Sequence, residues 1–486
     1  MDKKTRQTTK SVQTTSSVWS ILWLLASVIG VAAAFWITPD RVAEYLSDDG
    51  RLSYRLEQKL ALLRWAALLG PGFLFFAGSS HMRKRITVLG GLAWLTAAAM
   101  FIQTNYPNNL LAHPKRLARA FLGQDLLLKD YQPVAALKVE ERLVRKALVP
   151  VINIHTHFER TKDVRTPKEM VQIMDETNVR LSTDLDGGVG ERLKERIAEY
   201  AGAYPNRFVI FASIGMENRM TSWDYFYQVI DGLSQDKAAG ARGIKIWKQL
   251  GLMWMDQQNR LIQVDDARLD RLWSKAAEID LPILIHLGDP SPAFEPLNGR
   301  NERYEQYTYF SPEWWFGSPS YPRPAEILAQ FERVLERHRK TTFIGAHMLC
   351  LAHDLGALGE LLDRHPNLLV DLSAMPSELG RQPFTARAFF IKYSNRILFG
   401  TDGNPSEEAY GEYFRFMETQ DEYFDYPKYK RYNAGRWKIY GLNLPYDVLR
   451  QVYYNNAAKL LHMPPLEVES EIAQEPVPAE TLPSHP

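Results

Sequence analysis

Short β-rich runs alternate with helical stretches through the middle of the chain. The runs VINIHTH, VRLSTDLD, RFVIFASI and ARGIKIW end at His157, Asp186, Ile214 and Trp247, and LPILIH, TTFIGAH, NLLVDLSA and RILFGTD end at His286, His347, Ala374 and Asp402. Between them, stretches such as ERLKERIAEYAGAYP, DARLDRLWSKAAEID and LGALGELLDRHP read as helices, each ending in a turn or breaker before the next strand. This alternation predicts a parallel sheet with crossover helices, and eight such units over about 250 residues have the size of a closed (β/α)8, TIM-like barrel. An open doubly wound α/β sheet is the alternative. No GxGxxG or GxxxxGK[ST] motif follows a strand, so a nucleotide-binding reading lacks its phosphate loop.

The pattern ahead of the barrel differs. Val18 to Ile37 reads VWSILWLLASVIGVAAAFWI, without a charge and about as long as a helix that crosses a bilayer. Leu60–Gly78 and Ile86–Ile102 are further apolar stretches, the first carrying Arg64 and Pro71. Residues 1–102 are therefore expected to form a membrane region with transmembrane helices at 18–37, 60–78 and 86–102. A cleaved signal peptide behind Lys3, Lys4 and Arg6 is the competing reading. Residues 103–149 read as a linker with an amphipathic helix around Glu140–Leu148, residues 150–462 as the barrel with its C-terminal helices, and the Pro- and acid-rich 463–486 as a disordered tail.

Composition narrows the partners. Lys and Arg number 58 against 57 Asp and Glu, so no basic field draws in nucleic acid. Cys350 is the only cysteine, which excludes an intrachain disulfide framework and any multi-cysteine metal site.

The candidate chemistry lies at strand ends. Alternation along a strand puts Asn153, His155 and His157 on one face of the first, with Ile152 and Ile154 towards the helices. It puts Phe343, Gly345 and His347 on one face of the sixth, and Leu398, Gly400 and Asp402 on one face of the eighth. His286 closes the fifth. These polar residues fall at the C-terminal ends of their strands, where barrels build active sites. His338, His353 and His365 are expected to be ordinary residues. Imidazole and carboxylate donors of this kind suit Zn, Fe or Mn, with a position left for water. Such a metal polarises a carbonyl and lowers the pKa of its water, the basis of hydrolysis at neutral pH.

The HTH of the first strand, GIKIWKQLGL at the fourth, His286, GAH at the sixth and FGTD at the eighth resemble the amidohydrolase superfamily. The similarity is greatest to the amidohydrolase-related branch that includes aminocarboxymuconate-semialdehyde and resorcylate decarboxylases. The resemblance implies one divalent metal, usually zinc, bound by His155, His157, His286 and Asp402, with His347 close by to polarise water or protonate substrate. Other branches bridge two metals through a carboxylated lysine on the fourth strand. Lys245 and Lys248 stand there with opposite strand parity, so at most one points inward while the strand lasts, and a substrate-binding or structural role is expected. A membrane segment is not part of the family pattern.

The long stretch GDPSPAFEPLNGRNERYEQYTYFSPEWWFGSP after His286 is expected to shape specificity. Arg303 there could clamp a substrate carboxylate and Trp314 or Trp315 could line a pocket. Asp184, Asp186 and Arg381 are candidates of the same kind. The function expected is a membrane-anchored, metal-dependent hydrolase of a small molecule with an ester, lactone or amide bond, with Asp402 and His347 as its acid–base pair. A metal-dependent decarboxylase of a small carboxylic acid and an inactive membrane-anchored binding module are the alternatives. Lys3, Lys4, Arg6 and Lys10 precede the first span, and Arg83, Lys84 and Arg85 lie between the second and third. Both clusters should face the cytoplasm, placing the barrel outside. Protease added to intact spheroplasts should then digest the barrel; a protected barrel would mean an even number of spans or the inverse topology.

Overall fold

The computed structural model describes residues 134–139, 142–158, 165–214, 222–426 and 434–466. The expected spans at 18–37, 60–78 and 86–102, the linker up to residue 133 and the tail beyond residue 466 lie outside the described residues. No helix among the described residues is long and apolar enough to cross a membrane. The described elements belong to the second of two compact units, residues 136–486.

The strands run in chain order as β1 Val151–Thr156, β2 Val179–Asp184, β3 Phe208–Ile210, β4 Ala212–Ile214, β5 Ile244–Ile246, β6 Ile283–Ile285, β7 Phe343–Gly345, β8 Leu368–Asp371 and β9 Ile397–Leu398. All paired neighbours are parallel, in a sheet β1-β2-β3 and a sheet β4-β5-β6-β7-β8-β9. The expected third strand is interrupted at Phe211, so the eight predicted strands appear as nine segments. The Ile154 N–H donates to the Phe399 carbonyl at 2.9 Å, joining the first and last strands and closing the barrel.

Local chemistry sets the helix ends. Thr166 caps the helix Pro167–Thr177 in a box with Glu169, Pro167 occupies the first turn, and Asn178 ends it with φ 64°. The helix Asp270–Glu278 buries Leu272, Trp273 and Ala276 on one face, and the Trp273 ring lies 5.8 Å from that of Phe343. Phe331, on the helix Pro324–Arg337, meets the same phenylalanine at 5.5 Å. The alternation expected for β1 is reversed before His155: Ile152 and Ile154 share a buried cluster with Leu284 of β6 and Ile344 of β7, as well as with Ala457, Ala458 and Leu461, while Asn153 reaches the Tyr410 hydroxyl on the helix Glu407–Glu418.

The described part of the lead-in is not helical. From Arg142 to Pro150 its backbone is irregular, because its donors go elsewhere: Arg142 N–H to the Asp421 carboxylate, Ala147 N–H to the Thr177 carbonyl and Leu148 N–H to the Glu418 carboxylate. A segment whose amides bind partners distant in sequence cannot also close i to i−4 bonds. The stretch after β6 is more structured than a loop, with 3-10 turns Ser291–Phe294 and Pro312–Trp314 and a π-turn Gln306–Phe310. Phe294, Tyr307 and Phe316 drop from it into the core.

Candidate metal centre

Five residues from four strand ends meet at the C-terminal mouth. Nε2 of His155 and Nε2 of His157 each lie 3.2 Å from Oδ1 of Asp402. The rings of His155 and His347 are 4.9 Å apart, and those of His286 and His347 are 4.3 Å apart. Donor atoms of His155, His347 and Asp402 lie within 4.8 Å of one another, so His347 stands as close to the centre as any residue expected to ligate a metal. His155, His157 and His347 are buried, while the Asp402 side chain is 26% exposed and forms the open side.

Three of the four imidazoles are oriented from behind. Nδ1 of His155 donates to the Asp371 carboxylate at 2.9 Å, Nδ1 of His157 to Asp186 at 2.7 Å, and Nδ1 of His347 to the Ser373 carbonyl at 2.8 Å. With the proton on Nδ1, each presents the Nε2 lone pair to the common space, the arrangement a metal ligand needs. Nε2 of His286 and Nε2 of His347 are buried without a hydrogen-bond partner. Such orphaned acceptors are costly unless something else meets them. Three or four imidazole lone pairs and a carboxylate fit a divalent cation in a mononuclear site.

Electrostatics fit that donor set. Burial pushes His347 down to about 4, and burial followed by the charges of His347 and Lys248 holds His286 well below the ordinary imidazole value. Both are neutral at pH 7. Burial opposes the charge on Asp402, but His347 and the close approach of His155 and His157 outweigh it and keep the carboxyl well below its usual range. Burial also opposes the charge on His157, where the bond to Asp186 and the nearby Asp402 carboxylate prevail and raise its pKa.

The sequence of residues 167–463 matches the amidohydrolase family. The chain belongs to that family. The structure is similar to a putative amidohydrolase from Staphylococcus aureus, at 18% identity with TM-score 0.40, covering 65% of this chain and 100% of that one. It is similar to a dihydroxybenzoic acid decarboxylase from Polaromonas sp. JS666 with bound manganese and 2-nitroresorcinol, at 14% identity with TM-score 0.42, covering 65% and 97%. It is also similar to 5-carboxyvanillate decarboxylase from Sphingomonas paucimobilis, at 14% identity with TM-score 0.40, covering 65% and 100%. No functionally curated protein matches the sequence.

In this amidohydrolase the alternation argument places His347 wrongly, although the residue does reach the site. Phe343 packs outward on Trp273 and Phe331, and Ile344 is the residue paired with Leu284, the inward neighbour of His286. Continued alternation would send His347 to the helix layer. Instead the chain leaves β7 after Gly345, and His347, Met348, Leu349 and Cys350 take φ values of 55°, 53°, 53° and 55°. Each non-glycine residue held there costs about 1–2 kcal/mol. The Leu349 side chain folds back over Gly345, where a Cβ would collide with it. Asp402 also has positive φ, 65°, and is brought in by the close approach of β1: a Cβ on Gly400 would lie 2.8 Å from that of His155.

The lysines separate by register. Lys245 pairs with Leu284, faces inward, is fully buried and puts Nζ 3.4 Å from Nε2 of His155. Lys248 lies beyond the strand and pairs with Asp289 at 2.7 Å, its Nζ 4.8 Å from the centroid of Trp314. The two arginines are committed to protein carboxylates. Arg303 is buried against Glu378 and Gln306, and Arg381 grips Glu302 at 2.8 and 3.1 Å and Glu378 at 3.2 Å. Trp315 donates through Nε1 to the Glu295 carbonyl at 2.9 Å and staples its own loop. A cavity of about 530 Å³ is lined by Pro292, Asn301, Glu302, Cys350, His353 and Met375 among others, and none of the five residues of the centre lines it.

Sequence reading missed Asp371 and Ser373, and gave Asp186 a loop role when it orients His157. The available signal was the carboxylate ending the apolar run of β8. Asp184 pairs with Arg196 at 2.6 Å and is structural.

His347 also sets a pH dependence. Unfolded, it takes up a proton near 6.5, and in the folded metal-free protein only near 4. The unfolded chain therefore binds the extra proton between these values, and stability falls as pH drops from about 6.5 to about 4. Denaturation of the metal-free protein across this window should show a shallower fall for His347→Gln than for wild type; equal slopes would show that His347 is not buried neutral.

Proposed function

We propose that this amidohydrolase is a membrane-anchored, metal-dependent hydrolase acting on a carbonyl bond of a small molecule. The supporting observation is that His347 carries its ring proton on the side turned to the Ser373 carbonyl and turns an unpartnered Nε2 to the centre. A buried neutral imidazole in that orientation accepts a proton, as hydrolysis requires of a group near the attacking water. His155, His157, His286 and Asp402 would hold a divalent cation, which would supply Lewis acidity to the carbonyl and to the water.

The protein groups divide the remaining work. Asp402, ionised and on the open side, takes the proton of the attacking water. His347 relays a proton at Nε2 towards the leaving group and returns to its neutral form. Lys245, buried with Nζ beside His155, is placed to hold negative charge developing on the substrate oxygen. Arg303 and Arg381 hold the loop that borders the cavity, since their guanidinium groups are engaged by Glu378 and Glu302. The membrane anchor and the outward-facing catalytic unit rest on the apolar run Val18–Ile37 and the flanking basic clusters.

A panel of esters, lactones, amides and aromatic acids assayed in oxygen-18-labelled water tests the reaction. Label incorporated into product without carbon dioxide release is expected; carbon dioxide release without label would make the protein a decarboxylase, and neither would make it a binding module. At saturating metal, Asp402→Asn should fold normally and lose about a hundredfold or more in kcat, in the range for removal of a general base. Turnover near wild type would show that Asp402 is not the base.

A further inference from the structure

We propose that Asp371, with Ser373, is the positioning group that sets the tautomers of both His155 and His347 and pins the left-handed turn from which His347 projects. Neither residue touches the space where substrate would react. The inference rests on the metal-centre reading of the site.

The Asp371 carboxylate is fully buried and can only accept. Its Oδ2 lies 2.9 Å from Nδ1 of His155, so that nitrogen must carry the proton. Its Oδ1 accepts the backbone N–H of His347 at 3.1 Å and that of Ser373 at 3.0 Å, as well as the Ser373 hydroxyl. Having given its one proton to Asp371, the hydroxyl can only accept from Nδ1 of His155 at 2.9 Å and from Nδ1 of His347 at 3.0 Å. The Ser373 carbonyl, also an acceptor, takes the same His347 proton at 2.8 Å. Lys245 agrees independently, since its Nζ can donate to Nε2 of His155 only if that nitrogen is unprotonated. One protonation pattern satisfies the contacts of Asp371, Ser373 and Lys245, with both Nδ1 atoms protonated and both Nε2 lone pairs aimed at the centre; Nε2 of His155 then faces Oδ1 of Asp402 at 3.2 Å as acceptor to acceptor, a pair that a cation between them would reconcile.

The same carboxylate holds the backbone. His347 to Cys350 sit in a left-handed turn that L-residues avoid, and the first N–H of that turn is the one bound by Oδ1 of Asp371. Strained backbone persists only where its surroundings over-determine it. Here the bond to Asp371, the Ser373 contacts to the ring and the packing of Leu349 over Gly345 do so.

Asp371→Asn separates this role from simple space filling. The amide oxygen must stay on the side of the two backbone N–H groups, because an NH2 there would face donors it cannot accept from. The amide NH2 then points at Nδ1 of His155 and drives that ring's proton to Nε2. In the metal-free full chain, nitrogen-15 spectra should show His155 and His347 protonated at Nδ1 in wild type, and His155 protonated at Nε2 in Asp371→Asn. Zn2+ added alone, in competition with a chelator, should bind Asp371→Asn roughly 10–100-fold more weakly than wild type, the range for an outer partner of a ligand. Asp371→Ala, which leaves the ring free to choose its tautomer, should bind Zn2+ more tightly than Asp371→Asn despite a lower melting temperature. Wild-type affinity in Asp371→Asn, or an Nε2 proton on either histidine of the wild type, overturns the proposal. The wild-type spectra decide it even where a variant does not fold. A wild type that binds no cation would sink the metal-centre reading instead, and the spectra would still judge the tautomers.

Discussion

A carboxylate removed from water must be met by donors, and everything at the mouth of this barrel is arranged around one that is. Asp371 accepts from the His155 ring, from the backbone of His347 and from both the backbone and hydroxyl of Ser373. Burial works against its charge, yet His155, His347 and Ser373 hold it well below the usual carboxylate range. An ionised group so placed costs much to bury and returns it only through well-aligned hydrogen bonds. That requirement fixes neighbouring donors in place, and two of them belong to the imidazoles of the candidate metal centre.

The barrel supplies the frame on which this becomes possible. Parallel register brings the ends of β1, β6, β7 and β9 to one mouth, so residues separated by some two hundred positions meet within a few ångströms. The frame alone does not aim all the side chains. The register of β1 shifts between Asn153 and Thr156, and His155 lies in the site although Asn153 points to the helix residue Tyr410, whereas His347 relies on a turn that opposes the handedness of L-amino acids. Strain of this kind at a site of chemistry is stored against the surrounding bonds.

Charge outside the centre is spent on architecture. Arg303, Glu378, Arg381 and Glu302 form a chain of alternating sign that ties the stretch after β6 to the residues following β8. Lys248 is joined to Asp289 and covered by Trp314, leaving Lys245 as the inward lysine of the fourth predicted strand. The cavity along the stretch after β6 is bordered by the paired Glu302 and Glu378 and by Cys350 and Met375.

The sequence alone determined the alternation of eight strands with helices, the membership of His155, His157, His286, His347 and Asp402 in one site, and the absence of a phosphate loop. These are local properties, read from short-range periodicity and from residue types at strand ends. The tertiary structure decided what depends on partners distant in the chain. It chose Lys245 over Lys248 through pairing with β6, engaged Arg303 and Arg381 with Glu378 and Glu302, and refused a helix to the described lead-in because its amides bind Asp421, Thr177 and Glu418. Above all it assigned Asp371 its role, for a carboxylate ending an apolar strand is unremarkable until two histidines from other strands are brought against it. Hydrogen bonds between groups so far apart leave no periodic trace in the sequence, because they are set by the closure of the barrel and by where each strand ends.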